Sequence, residues 1–231
     1  MTKPDPESSL CYNSQGMKRA GWLVLLSVLC SSQTAEDIVS KVEGKLHSLQ
    51  SLQANFDQIY YSMSVTTPLR EKGKFYFKKP DWMRWEYKEP EEKIFLYKEG
   101  TFLFYLPEDN QLIRSSLSKE KYESEILALL SGQKEFKDNY LVEFNLFPSE
   151  EETPWQLKLT PKEEGEYSFI LLEIEERTWL IRKAIFFDWA GNKTEFEFSQ
   201  MKVNSRLSQN LFELKVPPDC EIIEDKSGIK K

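Results

Sequence analysis

Residues 73–90 read GKFYFKKPDWMRWEYKEP. Two alternating runs flank Pro80-Asp81, a turn signal. In the second run Met83, Trp85 and Tyr87 point one way and Arg84, Glu86 and Lys88 the other, the period of a half-buried strand. In the first, Phe75 and Phe77 take one face and Lys74, Tyr76 and Lys78 the other. Pro90 ends the second strand. The chain on either side repeats the pattern. Upstream, residues 52–63 suit a strand. Downstream, 93–98 and 101–106 flank Glu99-Gly100, a tight hairpin signal, and the turn from Pro107 to Asn110 leads into a short strand at 111–115. Strands resume at 141–147, 155–160, 167–175, 178–187 and 193–203, with turns at Glu163-Glu164-Gly165 and Ala190-Gly191-Asn192. The segment from Phe212 to Ile223 carries Pro217-Pro218 and one edge strand.

Helical periodicity occurs in few places. Ile38, Val42, Leu46 and Leu49 recur at helical spacing over residues 36–50. Residues 118–131 return to that period, with Ser118 placed to cap, Gly132 to terminate, and Tyr122, Ile126, Leu129 and Leu130 on one face. A second short helical piece occupies 133–139. So many strands in sequence, without repeat or linker, predict one domain over residues 36–231, built as a barrel, half-barrel or sandwich.

Residues 1–35 read differently. Lys18 and Arg19 precede the apolar run from Trp22 to Leu29, and small and polar residues follow from Cys30 to Ala35, the plan of a cleavable secretory signal. The run is shorter than the roughly 20 residues a membrane-spanning helix needs. Met17 makes a natural start, which leaves 1–16 as an over-extended gene start. A lipoprotein signal has a small residue before its cysteine and a Leu-like residue three before. Leu29 and Ser27 hold those places, which argues against lipidation of Cys30 and for cleavage within 32–35.

Composition removes several function classes. The net charge is −7, against general nucleic-acid binding. His47 is the only histidine, so histidine triads and multi-histidine metal sites are excluded by count, and the three cysteines are too few for a four-cysteine site. After removal of residues 1–35 only Cys220 remains, so stability must come from the core and not from a disulfide. Cys220 itself reads as a small buried hydrophobe, and His47 as ordinary surface. Glu173, Glu175 and Glu176 read as a solvated strand face, Glu150-Glu151-Glu152 as an exposed loop, and Asp188 to Asn192 as a hairpin turn lacking the oxygen ligands calcium requires. No phosphate loop or nucleophile elbow occurs, so neither enzyme chemistry nor a cofactor is expected.

The aromatic residues carry the positive signal. They crowd the strands between 75 and 105 and sit on both faces of several. A filled sandwich core would account for this. So would an apolar cavity lined by rings, which would bind a large apolar ligand. Periodicity does not decide between the two.

The order of motifs resembles the periplasmic outer-membrane lipoprotein carrier family, LolA, over nearly the whole mature chain. The resemblance rests on Ser51-Leu-Gln-Ala-Asn-Phe-Asp-Gln58 after an N-terminal helix, Gly73 to Pro80, and Met83-Arg-Trp-Glu-Tyr87 with Pro90. It continues through Gly100, Tyr105 and Pro107 in a hairpin, Leu130-Ser-Gly132, Trp155-Gln-Leu157 with Pro161, Asp188 with Gly191 and Thr194, and Phe212 with Val216-Pro217. It implies a mainly β fold: an unclosed antiparallel barrel of about eleven strands, with the N-terminal helix and lid helices over an apolar cavity. It implies a monomeric carrier in the periplasm, without covalent chemistry. Such a carrier accepts acylated lipoproteins from an inner-membrane ABC-type release complex and passes them to an outer-membrane acceptor. On this resemblance Phe56, Phe75, Phe77, Met83, Trp85, Tyr87 and Phe104 line the cavity, and Lys79, Ile126 and Leu130 make the lid contacts. The family commonly has Arg before the proline, where Lys79 stands; lysine lacks the planar donor fork of arginine. The alternatives are the lipid-anchored acceptor LolB, which the Cys30 context disfavours, and a non-enzymatic periplasmic sensor or interaction domain on the same scaffold.

Overall fold

A computed structural model of the chain describes residues 33–116, 129–130, 132, 135–145 and 155–225. Helix α1 (Ala35–Ser48) starts where Thr34 accepts from the Asp37 amide (3.2 Å) while the Asp37 carboxylate accepts from the Thr34 amide (3.0 Å). This reciprocal box satisfies two amides the helix itself leaves unpaired. Ile38, Val39, Val42 and Leu46 form the buried stripe of α1. At Leu49 the backbone turns extended (φ −67°, ψ 130°), and the chain runs directly into β1 (Ser51–Tyr61).

Strand β1 opens a meander that continues through β2 (Leu69–Lys78), β3 (Trp82–Glu89), β4 (Lys93–Lys98), β5 (Thr101–Leu106) and β6 (Gln111–Ser116). Glu99 and Gly100 both take positive φ (52° and 78°), as a two-residue hairpin matched to strand twist requires. A short helix, α2 (Phe136–Asn139), precedes a second meander of β7 (Tyr140–Phe144), β8 (Trp155–Pro161), β9 (Tyr167–Ile174), β10 (Ile181–Asp188) and β11 (Lys193–Val203). A 3-10 turn (Gln209–Phe212) and β12 (Glu221–Asp225) complete the described chain. The long β1 pairs with β2 on one side and β11 on the other and so joins the two meanders. The twelve strands form one sheet in the order β12-β6-β5-β4-β3-β2-β1-β11-β10-β9-β8-β7, antiparallel except where β12 runs parallel to β6. The sheet ends at β12 and β7, so the barrel is unclosed, as expected, and the strand before the C-terminus makes twelve.

Directly opposed residues share a face. Phe75, Trp85, Phe95 and Phe104 therefore form one row across β2–β5, and Phe77, Met83, Tyr97 and Phe102 a second. Both belong to the inner face, which packs with the stripe of α1 and with Leu129 and Leu130 in one core. The outer face of β2–β5 has its own apolar cluster. Tyr76, Leu96 and Phe212 are buried there, with Trp82, Leu103, Leu207, Leu211 and Leu214 against them. The C-terminal segment is thus the second layer that explains aromatics on both faces.

Four local expectations change. Glu173 is buried (5% exposed) and not solvated, because the Arg182 guanidinium lies against it at 2.6 Å. Strand β10 starts at Ile181 and not at 178: Trp179 adopts φ 58° and its amide bonds back to Glu175, which makes 175–180 a turn. Cys220 is half-exposed, at a turn closed by its amide on the Pro217 carbonyl (3.1 Å). His47 is exposed but engaged, bonding outside its own helix as described below. The expected helix over 118–131 is described only at Leu129 and Leu130, and the glutamates at 150–152 lie outside the described residues.

Candidate ligand-binding face

The inner face is centred on Phe56, on β1. Its ring meets Trp85 and Tyr87 edge-on, each at 4.9 Å between centroids. Trp85 in turn lies 4.4 Å from Phe75 and 5.6 Å from Phe196. Gly73 makes the arrangement possible: a Cβ there would stand 2.8 Å from the Phe56 ring and 2.1 Å from the Glu86 carbonyl oxygen. Phe56, Phe75, Phe77, Met83, Trp85 and Tyr87 are all buried, within one continuous cluster. Phe104 belongs to the same face but is half-buried, stacked on Phe95 at 4.2 Å. Coverage therefore falls across the sheet. The rings on β1–β3 and β11 are packed, whereas Phe95, Phe102, Phe104 and Ile113 on β4–β6 are only partly covered.

A polar knot closes one end of this face. Glu71 is buried, paired with the Lys93 ammonium, which also stands 4.5 Å over the Tyr87 ring. The Tyr87 hydroxyl donates to the Gln58 side-chain oxygen (2.7 Å). Burial, with the Glu71 charge beside it, pushes the Tyr87 phenol far above its ordinary value, so it remains a neutral donor.

At the other end, α1 meets the segment after the expected lid helix. The Lys79 ammonium donates to the His47 carbonyl at 2.5 Å, in the last turn of α1. The His47 ring reaches the Gly132 carbonyl and the Glu135 carboxylate, each at 3.2 Å. Glu43 accepts from the Phe136 amide at 2.6 Å. Gly132 has φ 65°, and a Cβ on it would stand 2.9 Å from the Leu46 Cβ. Leu130 is buried beside α1, and Ile126 lies outside the described residues. Lys79 is thus joined to this segment through His47, at the end of α1.

Sequence reasoning missed Tyr97, Phe186, Phe196 and Phe198, which complete the face. The signal was present on β11, where Phe196 and Phe198 alternate with Glu195 and Glu197. Nothing local pointed to the pair of Glu71 and Lys93, two strands apart.

These features define a class: among the described residues, an open, mainly antiparallel shell packed on α1, with an aromatic inner face covered at one side and part-open at the other. Among the described residues no cluster of His, Cys, Asp or Glu could hold a metal, and no helix is long and apolar enough to cross a membrane. The chain belongs to the family of the outer membrane lipoprotein carrier protein LolA, whose profile it matches over residues 47–215. An outer-membrane lipoprotein carrier protein of Methylococcus capsulatus is 28% identical over 209 residues, covering 89% of this chain and 98% of that protein. One from Azotobacter vinelandii is 24% identical, covering 85% and 93%. Among solved structures, an uncharacterized conserved protein from Thermus thermophilus superposes with a TM-score of 0.54 at 16% identity, covering 84% of this chain and all of that one, a likeness of fold.

Proposed function

We propose that this protein is a periplasmic carrier of acylated lipoproteins, exported with cleavage after Ser32, which leaves the Thr34 cap of α1 in place, and acting without covalent chemistry. It takes its cargo from an inner-membrane ABC-type release complex and delivers it to an outer-membrane acceptor. The observation that supports this most is the graded inner face. Each buried CH2 of an acyl chain contributes roughly 0.8 kcal/mol. A carrier needs a comparable apolar surface that is available yet shielded. The half-buried rings of β4 and β5 with Ile113 of β6, continuous with the packed rings of β1–β3, offer that surface. Delivery requires that cargo leave again, so the surface must be closable. The bonds that hold Gly132, Glu135 and Phe136 on α1 through His47 and Glu43 support assigning them that role.

The test is a release assay. Inner-membrane vesicles carrying the release complex and a radiolabelled triacylated lipoprotein are incubated with the purified protein and ATP. The label should move to the soluble fraction as a one-to-one complex. Label that stays in the vesicles, with active complex, overturns the proposal.

A further inference from the structure

Glu71 is a buried carboxylate on an otherwise aromatic face, and burial of acyl chains by itself gives it no work. The strand register puts it there. Glu71 is opposed to Gln58 on β1, and Lys93 is opposed to Tyr87 on β3, so the four residues share the inner face with Phe56 and Trp85. Glu71 and the Lys93 ammonium pair across β3. A buried ion pair carries a desolvation cost that its own attraction often fails to offset, and an apolar pair of similar size would pack the face at least as well.

The group also holds donors beyond those it uses. The Lys93 ammonium has three N–H groups; Glu71 takes one, and the Tyr87 ring lies 4.5 Å from the nitrogen. The Gln58 side-chain oxygen accepts from the Tyr87 hydroxyl (2.7 Å), and among the described residues no acceptor takes the Gln58 amide N–H groups. These donors are within reach of a ligand: the Lys93 side chain is 22% exposed against 8% for Glu71, and Gln58 is half-buried. They also stand where coverage of the face changes. Lys93 and Phe95 alternate onto the same side of β4. Phe95 meets the packed Tyr87 ring at 5.6 Å and stacks on the half-buried Phe104 at 4.2 Å.

We propose that Lys93 and Gln58, with Glu71 holding the ammonium in place, form a polar subsite that takes the ester carbonyls joining acyl chains to the glyceryl group of a lipidated cysteine. The inference rests on the carrier reading and gives the cargo a register, with chains over Phe95 and Phe104 and carbonyls at the donors. Apolar burial is indifferent to a chain sliding along it. A hydrogen bond is not, because a slipped chain leaves donor and carbonyl desolvated and unpaired. The same esters occur in phospholipids. There the phosphate sits on the same glyceryl group, so seating the esters here would bring an anion onto the apolar face beside Glu71, at a high desolvation cost.

The experiment compares three probes with equal chain number. The first is an N-acetylated S-dipalmitoylglyceryl-cysteine peptide amide with uncharged side chains. The second is the same peptide with hexadecyl ethers in place of the palmitoyl esters, which keeps the chains and removes the carbonyls. The third is dipalmitoyl phosphatidylglycerol. They compete for the purified protein, and bound lipid is quantified by native mass spectrometry. The native protein should favour the ester over the ether lipopeptide about tenfold, the worth of one hydrogen bond to a charged donor, and should capture phosphatidylglycerol less than the ester lipopeptide. Glu71→Leu with Lys93→Met removes both charges together, so neither is left buried alone, and its urea midpoint should be no lower than the native one. Its ester-to-ether ratio should fall close to one. Gln58→Met with Tyr87→Phe removes the second donor along with its partner and should lower the ratio about threefold. Equal capture of the two lipopeptides by the native protein, or a tenfold ratio kept by a folded double variant, overturns the inference and leaves the carrier reading standing. Phosphatidylglycerol captured as well as the ester lipopeptide overturns the assignment to a lipidated cysteine. Capture of no probe overturns both the inference and the carrier reading.

Discussion

Gly73 shows how little freedom the inner face has at its centre. The position is opposed to Phe56, and the Phe56 ring lies where any side chain would have to go. Gly73→Ala must displace either that ring or the Glu86 backbone, and overpacking of this kind costs about 1–3 kcal/mol. Urea unfolding should show a lower midpoint with little change in slope. Away from the centre the face tolerates more. Phe104→Glu, at a half-buried position, should leave unfolding nearly unchanged but lower lipoprotein uptake in the release assay. Met83→Glu places a charge in the packed part and should lower both; undiminished transfer would show that the Met83 strand does not line the cavity. At this scale much of the face was readable, because Phe75, Phe77, Met83, Trp85 and Tyr87 alternate with Lys74, Tyr76, Lys78, Arg84, Glu86 and Lys88. What was hidden involved partners distant in sequence. Glu173 looked solvated because its cover, Arg182, lies on the next strand. The bond from His47 to Gly132 spans 85 residues.

Helix α1 is fixed at both ends by different chemistry, and each end gives a prediction. At the start, hydrogen bonds from the Thr34 backbone and side chain hold the Asp37 carboxyl below its ordinary value. A carboxyl depressed in the folded state stabilises the fold at neutral pH, and that contribution is lost as pH falls through the lowered value. Stability measured for the native protein and for Asp37→Asn should therefore differ at neutral pH and converge in acid. Thr34→Ala, which removes the other half of the box, should cost about 1 kcal/mol. At the far end Lys79, His47 and Gly132 form a chain of contacts from β2 through α1 to the segment that leads into α2. Lys79→Leu should raise amide hydrogen exchange at Gly132, Glu135 and Phe136 and change the rate at which cargo is released to the acceptor. Unchanged exchange and normal release would mean that Lys79 serves only the end of α1. Element boundaries were legible where hydrophobic period and turn residues agreed, as at Glu99-Gly100 and along β11. They were not where a backbone hydrogen bond set the limit, as at Trp179.

Across the described residues, the sheet packs α1 against its inner face and takes the C-terminal segment on its outer face, with one side of the inner face part-covered. That asymmetry is what a reversible apolar binder needs. A shell packed evenly on both sides would be more stable and would hold nothing. The order of strands could be anticipated from consecutive hairpins, but the joining of the two meanders through β1 and β11 could not, since that pairing brings together Phe56 and Phe198 from opposite ends of the chain. The central claim is that this face carries acyl chains, and it is tested most directly by native mass spectrometry of the protein isolated from periplasm without detergent. The account predicts a population with one triacylated lipoprotein bound per chain, dissociated when the outer-membrane acceptor is added. A bare protein that also fails to take up lipoprotein from the release complex would contradict it and would identify the inner face as a permanently filled core.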